Sequence, residues 1–564
     1  MTLFKSNLTD KATQAVEAAL ASPLPTVATV AGLGSDAVLS ASQALVPGAP
    51  VSIPGMVRPF MDHQAAAFVY AMQQMQVWGG ALLGDDMGLG KTQVLQAIVA
   101  EAIAQGGYAI QVAPPVAIAG YKSDLAAAFP GLRMVHLHGR KPFLPEPADI
   151  YFISDDPLTL KAWLTVTPPV RPGQKPVMQA SPLAQGAVIL TRDEIHRDKG
   201  SDGKPTTRAK IMLTVSGALR AIGRKVVGAT GTILTNRPVE ALIPLRIIGG
   251  DKLIEAITPG SRGQISFRFL FRYCSPVNNG FGYNYSGADE ARMPELHEYL
   301  RRTVYVRREK ADLGTALPHS GWIVLPIALN GVLARYRRVE KDFLNLVLEE
   351  EGPEAMWRKN RALAMTQMQA MWQEAGTAKV GATVEYVKNI VDQNRPVVLF
   401  YYHDASRDAL AQGLTKQKIT TTWIGGGQSK DARQRVIADF QGGKYQVVLA
   451  QIRAAGMAVT LTAAADAVFH QVPWSAGDLK QAADRILRVD DITKARAAAG
   501  EKVTWHVLQG CYEDGAPTFE AAMWSILERK ARICDAVNAG RPVTMSDESV
   551  MQQALTEWYA NAKR

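Results

Sequence analysis

Residues Gly84-Asp85-Asp86-Met87-Gly88-Leu89-Gly90-Lys91-Thr92 stand between an apolar run, Ala81-Leu82-Leu83, and a helix-like pattern of Val94, Leu95, Ile98 and Val99. Strand, glycine loop and helix in that order are the context of a phosphate-binding loop. Glycine lets backbone N–H groups close around phosphate oxygens, and the helix N-terminus adds partial positive charge. Lys91 can then reach the β- and γ-phosphates, and Thr92 can offer its hydroxyl to Mg²⁺. A glycine-rich turn that binds nothing is the competing interpretation. Asp85 stands where the strict pattern has glycine, so the loop alone only suggests a nucleotide.

The 564 residues suggest two to four domains, and 47% hydrophobic content supplies large cores. The net charge of +10, with a pI near 9.3, favours an anionic partner such as nucleic acid over no polyanion at all. Cys274, Cys511 and Cys534 lie far apart without a CxxC pair, which indicates neither a disulfide framework nor zinc. His136 and His138 lack further metal-type neighbours. No apolar run approaches a membrane span and no signal-peptide pattern is read, so a soluble intracellular protein is expected.

Residues 1–50 are an N-terminal arm with little patterning beyond a possible short helix over 9–21. Candidate strands follow at Ala81–Leu83, Ala109–Val112, Met134–His136, Ile150–Ile153, Ala187–Leu190 and Lys225–Gly228, with helical patterns between most of them. That alternation argues a parallel α/β sheet. Residues 166–186 hold five prolines and read as an exposed loop. Strand signals thin out from about 235 to 380, where helical patterns dominate, for example over 332–350 and 354–375. Alternation returns with Val397–Tyr401, Thr421–Ile424, Gln446–Ala450, Ala467–His470 and Val503–Leu508. The expected division is therefore an arm (1–50), a first α/β lobe (51–250), a helical insertion and linker (251–380), a second α/β lobe with a closing helix (381–540), and a helical tail (541–564).

The run Val188-Ile189-Leu190 leads into Thr191-Arg192-Asp193-Glu194-Ile195-His196. ATP hydrolysis needs one carboxylate to help hold Mg²⁺ and a base or water-orienting group beside the γ-phosphate. Asp193 and Glu194 at a strand's end can meet both needs, although an acidic turn by itself is usually only solvated. Thr230-Gly231-Thr232 closes the next strand, where hydroxyls could link hydrolysis to lobe movement or simply make a turn. Further on, Gln481, Arg485 and Arg488 sit at i, i+4 and i+7 of a helix-like stretch and so would share one face. Arginines presented to a transferring phosphoryl group accelerate hydrolysis by roughly 10³–10⁵, but exposed helical arginines are commonly just solvated.

Taken in order, Asp85–Thr92, Asp193–His196, Thr230–Thr232 and Gln481–Arg485 resemble the motifs of helicase superfamily two, and in wording those of its SWI/SNF-like DNA translocases. Asp at the first glycine position is that family's habit. Arg58-Pro59-Phe60 to His63-Gln64 resembles the element that precedes the phosphate loop in that family, and the blocks Arg272-Tyr273-Cys274, Gly280–Gly287, Glu295-Leu296 and Val306–Asp312 to Leu317-Pro318 resemble the annealing-helicase (fork-remodelling) subfamily. So do Ala454–Thr462, Thr504–Leu508 and the helix near 519–536; the resemblance covers about 55–540.

This resemblance implies two RecA-like parallel-sheet lobes with a helical insertion, a DNA-dependent ATPase using ATP and Mg²⁺, and a double-stranded or forked DNA partner. It implies catalysis by Lys91, Asp193, Glu194, Arg485 and Arg488. Nucleotide binding falls to Gln64, Asp85, Met87, Gly88, Leu89, Gly90, Lys91, Thr92, Arg485 and Arg488, and Mg²⁺ binding to Thr92 and Asp193. Thr230, Thr232 and His196 would couple hydrolysis to motion. DNA phosphate contacts are expected at Ala113-Pro114-Pro115, Ser154, Arg453-Ala454-Ala455 and the basic Arg301–Lys310 stretch. A monomer is expected, in a replication, recombination or repair setting. Several residues depart from the family pattern: Thr191-Arg192 before Asp193, Ile233 after Thr232, Ala458, and Leu487–Asp491. A strand-separating helicase of the Asp-Glu-x-His type, or a non-hydrolysing DNA-binding scaffold, would be the alternative activities.

Overall fold

The computed structural model describes residues 42, 44, 51–115, 117–169, 171, 173–201, 204–234, 237–261, 263–278, 283–285, 287–329, 333–452, 459–539, 555–556 and 558–560. The expectations for the N-terminal arm, for Gly280–Gly282, for Arg453–Ala458 and for most of 541–564 fall outside these residues. The chain forms two compact units, residues 1–312 with 532–547 and residues 313–531 with 548–564.

The first unit is built on a seven-stranded sheet in the order Tyr305–Val306, Gly80–Leu83, Lys225–Ala229, Ile189–Asp193, Ala109–Ala113, Ile150–Ser154 and Met134–Leu137. Every pairing in it is parallel. Most of its strands are covered on both faces, which is why they read as continuous apolar runs instead of alternating ones. Helix Asp62–Trp78 leads into the first long strand and is closed by Gly79, whose φ of 75° belongs to the left-handed region. One expected strand runs further than its apolar residues suggested: it spans Ile189–Asp193, not Ala187–Leu190. Thr191 and Arg192 therefore sit inside a central strand, fully buried, and do not interrupt it.

The second unit has six parallel strands in the order Ser320–Ala328, Val503–Cys511, Asp466–Phe469, Val397–Tyr401, Val447–Gln451 and Thr421–Ile424. Helices Leu333–Glu349 and Pro353–Ala378 bury Tyr336, Phe343 and Trp372 in the same core as Phe400, Phe469 and Trp505.

Among the described residues, 251–380 is divided between the two units. Helices Val239–Ile257, Ile265–Tyr273 and Met293–Thr303 contribute Leu253, Phe269, Leu296 and Leu300 to the first unit's core. The strand Ser320–Ala328 instead pairs with Val503–Cys511 along nine residues and opens the second sheet. This strand escaped the sequence reading because it is an outer strand: Trp322, Ile323 and Val324 are exposed, and Pro326 is tolerated there. The helix Phe519–Ala539 serves both units, placing Phe519 and Met523 in the second core and Ile533 and Val537 in the first. Among the described residues no helix is long and apolar enough to cross a membrane.

Candidate nucleotide-hydrolysis site

In an open parallel sheet, ligands sit beyond the carboxyl ends of the strands. Three such ends converge in the first unit: Leu83 leads to the phosphate loop, Asp193 ends its strand, and Ala229 leads to Thr230. The loop turns through Gly88 and Gly90, with φ of 90° and 82°. Side chains are excluded there for a second reason, since a Cβ on Gly90 would stand 2.0 Å from Gln64 Nε2. Gln64 is buried against the loop: its Nε2 donates to the Leu89 carbonyl at 3.3 Å, and its Oε1 accepts from the Met61 amide at 3.0 Å. His63 Nε2 donates to the same Leu89 carbonyl at 2.9 Å.

Helix Lys91–Ile103 begins at the loop, with Gly90 as its N-cap. Lys91 Nζ donates to the carbonyls of Asp85 at 2.5 Å and Asp86 at 3.1 Å. Burial works against its charge and lowers its pKa, while Glu194, Asp85 and Asp86 oppose that shift. A cation folded onto its own loop's carbonyls is placed to exchange them for phosphate oxygens. Gly231 keeps that space clear, because a Cβ there would stand 2.9 Å from Met87 Cγ and 3.4 Å from Lys91 Nζ.

The loop's acidic pair is held from behind. The Arg308 amide donates to Asp85 Oδ1 at 2.7 Å, and the buried Arg307 guanidinium lies 2.8 Å from Asp86 Oδ1. Arg307 also donates to the carbonyl of Gly84 at 2.7 Å and, at the limit of hydrogen bonding, to that of Gly231 at 3.4 Å. One guanidinium thus joins the phosphate loop to the Thr-Gly-Thr turn. This corrects the expectation that Arg301–Lys310 meets DNA. Arg301, Arg302, Arg307 and Arg308 are all buried, and they bond to Ser42, Glu298, Asp86 and Asp85 respectively. Ala113 and Ser154 end their strands and are buried, and Pro114 follows directly on Ala113.

Asp193 is buried, and the Tyr121 hydroxyl donates to its Oδ2. Burial, and next the neighbouring Glu194, push the Asp193 carboxyl up to about 6, against the Tyr121 hydrogen bond and the charges of Arg192 and Lys91. Glu194 adopts left-handed backbone, φ 53°, a conformation that costs a non-glycine residue energy and recurs at functional turns. Its carboxylate stands 3.2 Å from His196 Nδ1, which in turn lies 2.8 Å from Thr230 Oγ1. Thr230 closes its own turn, accepting from the Thr232 amide at 3.1 Å. The donor set fits Mg²⁺: that ion favours oxygen ligands and commonly takes one or two from protein, with phosphate and water completing its shell. The Thr92 hydroxyl and the Asp193 carboxylate would hold it. Tyr121 was not among the residues singled out in the sequence; a tyrosine in an Ala-rich helix carries no sequence signal of its own.

In the second unit, Gln481 and Arg485 are buried and Arg488 is half-buried. The shared helical face expected for them is absent, because the helix spans only Ala476–Ala483. Arg485 lies in the following turn, its carbonyl accepting from the Leu461 amide at 2.9 Å. Arg488 lies beyond that turn, and its carbonyl accepts from Thr493. Ile486 and Leu487 are both buried, as adjacent residues of an irregular segment can be. Asp490 then caps the next helix with a capping box, so the two arginines sit on a structured connection between helices.

A phosphate loop, a strand-end Asp-Glu pair and a second parallel α/β unit carrying arginines define a P-loop NTPase of the two-lobed, helicase-like class. The chain is similar to SWI/SNF-like proteins of helicase superfamily two, annealing helicases among them. Residues 381–490 match the helicase conserved C-terminal domain. The chain is 23% identical over 488 residues to the human DNA annealing helicase and endonuclease ZRANB3, covering 85% of this chain and 40% of that protein. It is 24% identical over 492 residues to the Caenorhabditis elegans homolog of SWI/SNF-related matrix-associated actin-dependent regulator of chromatin subfamily A-like protein 1, covering 86% and 63%. The chain thus spans about two fifths to three fifths of the length of these relatives. Among solved structures, the Sulfolobus solfataricus SWI2/SNF2 ATPase core in complex with dsDNA aligns over 91% of this chain and 98% of that one, with 17% identity and a TM-score of 0.37.

Proposed function

We propose that this chain is an ATP-dependent motor that translocates on double-stranded DNA and remodels or anneals branched DNA. The observation that carries this reading is the convergence of Lys91, Asp193 and Glu194 at one sheet edge, with Glu194 linked through His196 to Thr230. Lys91 and the loop amides would bind the β- and γ-phosphates, with Gln64 at the base side. Asp193 and Thr92 would hold Mg²⁺, which neutralises charge developing on the phosphates. Glu194 would orient and activate the attacking water. Arg485 and Arg488 would stabilise the transferring phosphoryl group, and the His196–Thr230 bond would transmit its state to the Thr-Gly-Thr turn. The net charge of +10 suits a polyanionic track. Duplex or forked DNA is the proposed partner, with the chain acting as a monomer.

The test is steady-state ATP hydrolysis without nucleic acid, then with single-stranded, duplex and forked DNA and RNA. Duplex or forked DNA should stimulate turnover most, and Lys91→Ala should abolish it because phosphate charge then goes unmatched. Stimulation by single strands or RNA alone would replace this reading with a strand-separating helicase. Absence of turnover under every condition would leave a non-hydrolysing scaffold.

A further inference from the structure

Arg192 is the residue that departs most from an ordinary core strand: a guanidinium in the middle of a central parallel strand, with no solvent exposure. Burying a charge there costs several kcal/mol unless it is fully paired. Its partners are arranged about one feature. Nε donates to Asp198 Oδ2 at 2.6 Å and Nη2 to Asp198 Oδ1 at 3.0 Å, a bidentate pair. Nη2 also reaches Asp155 Oδ2 at 3.1 Å, and Nη1 donates to the carbonyl of Asp193. Asp193 enters the turn that carries Glu194 and His196, and Asp198 leaves it, accepting the C-cap position of the short 3-10 helix Ile195–Arg197. A single planar group therefore grips both ends of the turn.

The two aspartates are themselves fixed from outside. Arg208, from helix Thr207–Ala221, places Nε 3.0 Å from Asp198 Oδ1, and Arg197 places Nη1 2.8 Å from Asp155 Oδ2. Asp155 follows directly on the strand Ile150–Ser154, so the network ties two strand ends and a helix to the turn. The turn needs such support. Glu194 holds left-handed backbone, and strained backbone persists only where its surroundings over-determine it.

We propose that Arg192 is a positioning residue for hydrolysis, stapling the Asp193–Asp198 turn so that Glu194 is held in its left-handed conformation against His196. Arg192 touches neither nucleotide nor water in this role; it acts through Glu194. The proposal rests on the ATPase reading above, and it assigns a function to the one charged side chain buried within the strand before Asp193.

The experiment compares the parent chain with Arg192→Lys, which keeps the charge but loses the planar fork, and with Arg208→Gln, whose partly exposed side chain can be replaced without leaving a buried charge in place of Arg192. Measured for each are DNA-stimulated kcat, KM for ATP, affinity for a fluorescent ADP analogue, and thermal melting. Arg192→Lys should lower kcat about 10–100-fold, as losses behind a catalytic group commonly do, with ADP affinity within about two-fold of the parent. Arg208→Gln should shift kcat in the same direction by less, and provides the reading if Arg192→Lys does not fold. The decisive arm adds Glu194→Gln: because Arg192 acts through Glu194, the double variant should be no slower than Glu194→Gln alone. Parent-like kcat in both single variants, losses that multiply with Glu194→Gln, or ADP affinity falling in step with kcat would each overturn the proposal. A parent chain that hydrolyses no ATP would instead overturn the ATPase reading, which separates the two failures.

Discussion

At the residue scale, the site is a set of charges each answered by a specific partner, so single substitutions have separable consequences. Glu194→Gln removes the proposed base while leaving the proposed phosphate-binding loop intact. Turnover should fall roughly 10²–10⁴-fold, the usual contribution of a positioned base, with nucleotide affinity retained; parent-like turnover would place the base elsewhere. Arg307 is different in kind, since its guanidinium bonds Gly84, Gly231 and Asp86 and is buried. Arg307→Met would leave the loop's Asp86 carboxylate without that cation, and breaking a buried pair from one side costs about 3–5 kcal/mol. The variant should therefore melt earlier and bind nucleotide more weakly together, as thermal denaturation with and without ADP would show. A normal melting curve with weak nucleotide binding would mean that Arg307 meets the nucleotide directly. Basic residues in sequence do not announce which of these roles they take: Arg301–Lys310 reads as a polyanion contact, yet its arginines are spent inward.

At the element scale, the first unit is closed by chain from far along the sequence. Helix Met293–Thr303 offers His297, whose buried Nδ1 donates to the carbonyl of Val537 at 2.7 Å on the helix Phe519–Ala539. Burial pushes the His297 imidazole down to about 4, against the opposing effect of that hydrogen bond. The unfolded chain therefore binds this proton near pH 6.5 and the folded chain does not bind it until about pH 4. The stabilisation is complete above about 6.5 and is lost as pH falls through that window, by about 3 kcal/mol in all. Denaturant unfolding at a series of pH values should show this slope, and His297→Gln should flatten it; an unchanged slope would assign the acid sensitivity to other groups. Other features of the elements were legible beforehand. Short apolar runs between helical patterns located eleven of the thirteen strands of the two large sheets to within a few residues. The two missed were Tyr305–Val306, too short to leave a pattern, and the outer strand Ser320–Ala328, whose exposed apolar residues fit no burial period.

At the scale of the whole molecule, a grip on duplex phosphates should release counterions, so log affinity for DNA should fall linearly with log salt. A grip on six to ten phosphates would lose roughly 10³–10⁵ in affinity between about 50 and 200 mM salt. Fluorescence anisotropy with a labelled duplex would measure it, and a salt-independent affinity would remove the DNA reading. The sequence by itself determined the phosphate loop, the Asp-Glu pair, the alternation that builds two parallel sheets and the family resemblance, because each is written in contiguous residues with a local physical signature. Only the tertiary structure decided that residues 251–312 and 313–380 belong to different units, since sheet membership depends on pairing partners hundreds of residues away. It also decided that Arg485 and Arg488 lie past the end of their helix. And it decided that Arg192 and Arg307 are buried braces, because the aspartates that neutralise them are brought near by folding of the sheet and not by neighbouring sequence alone.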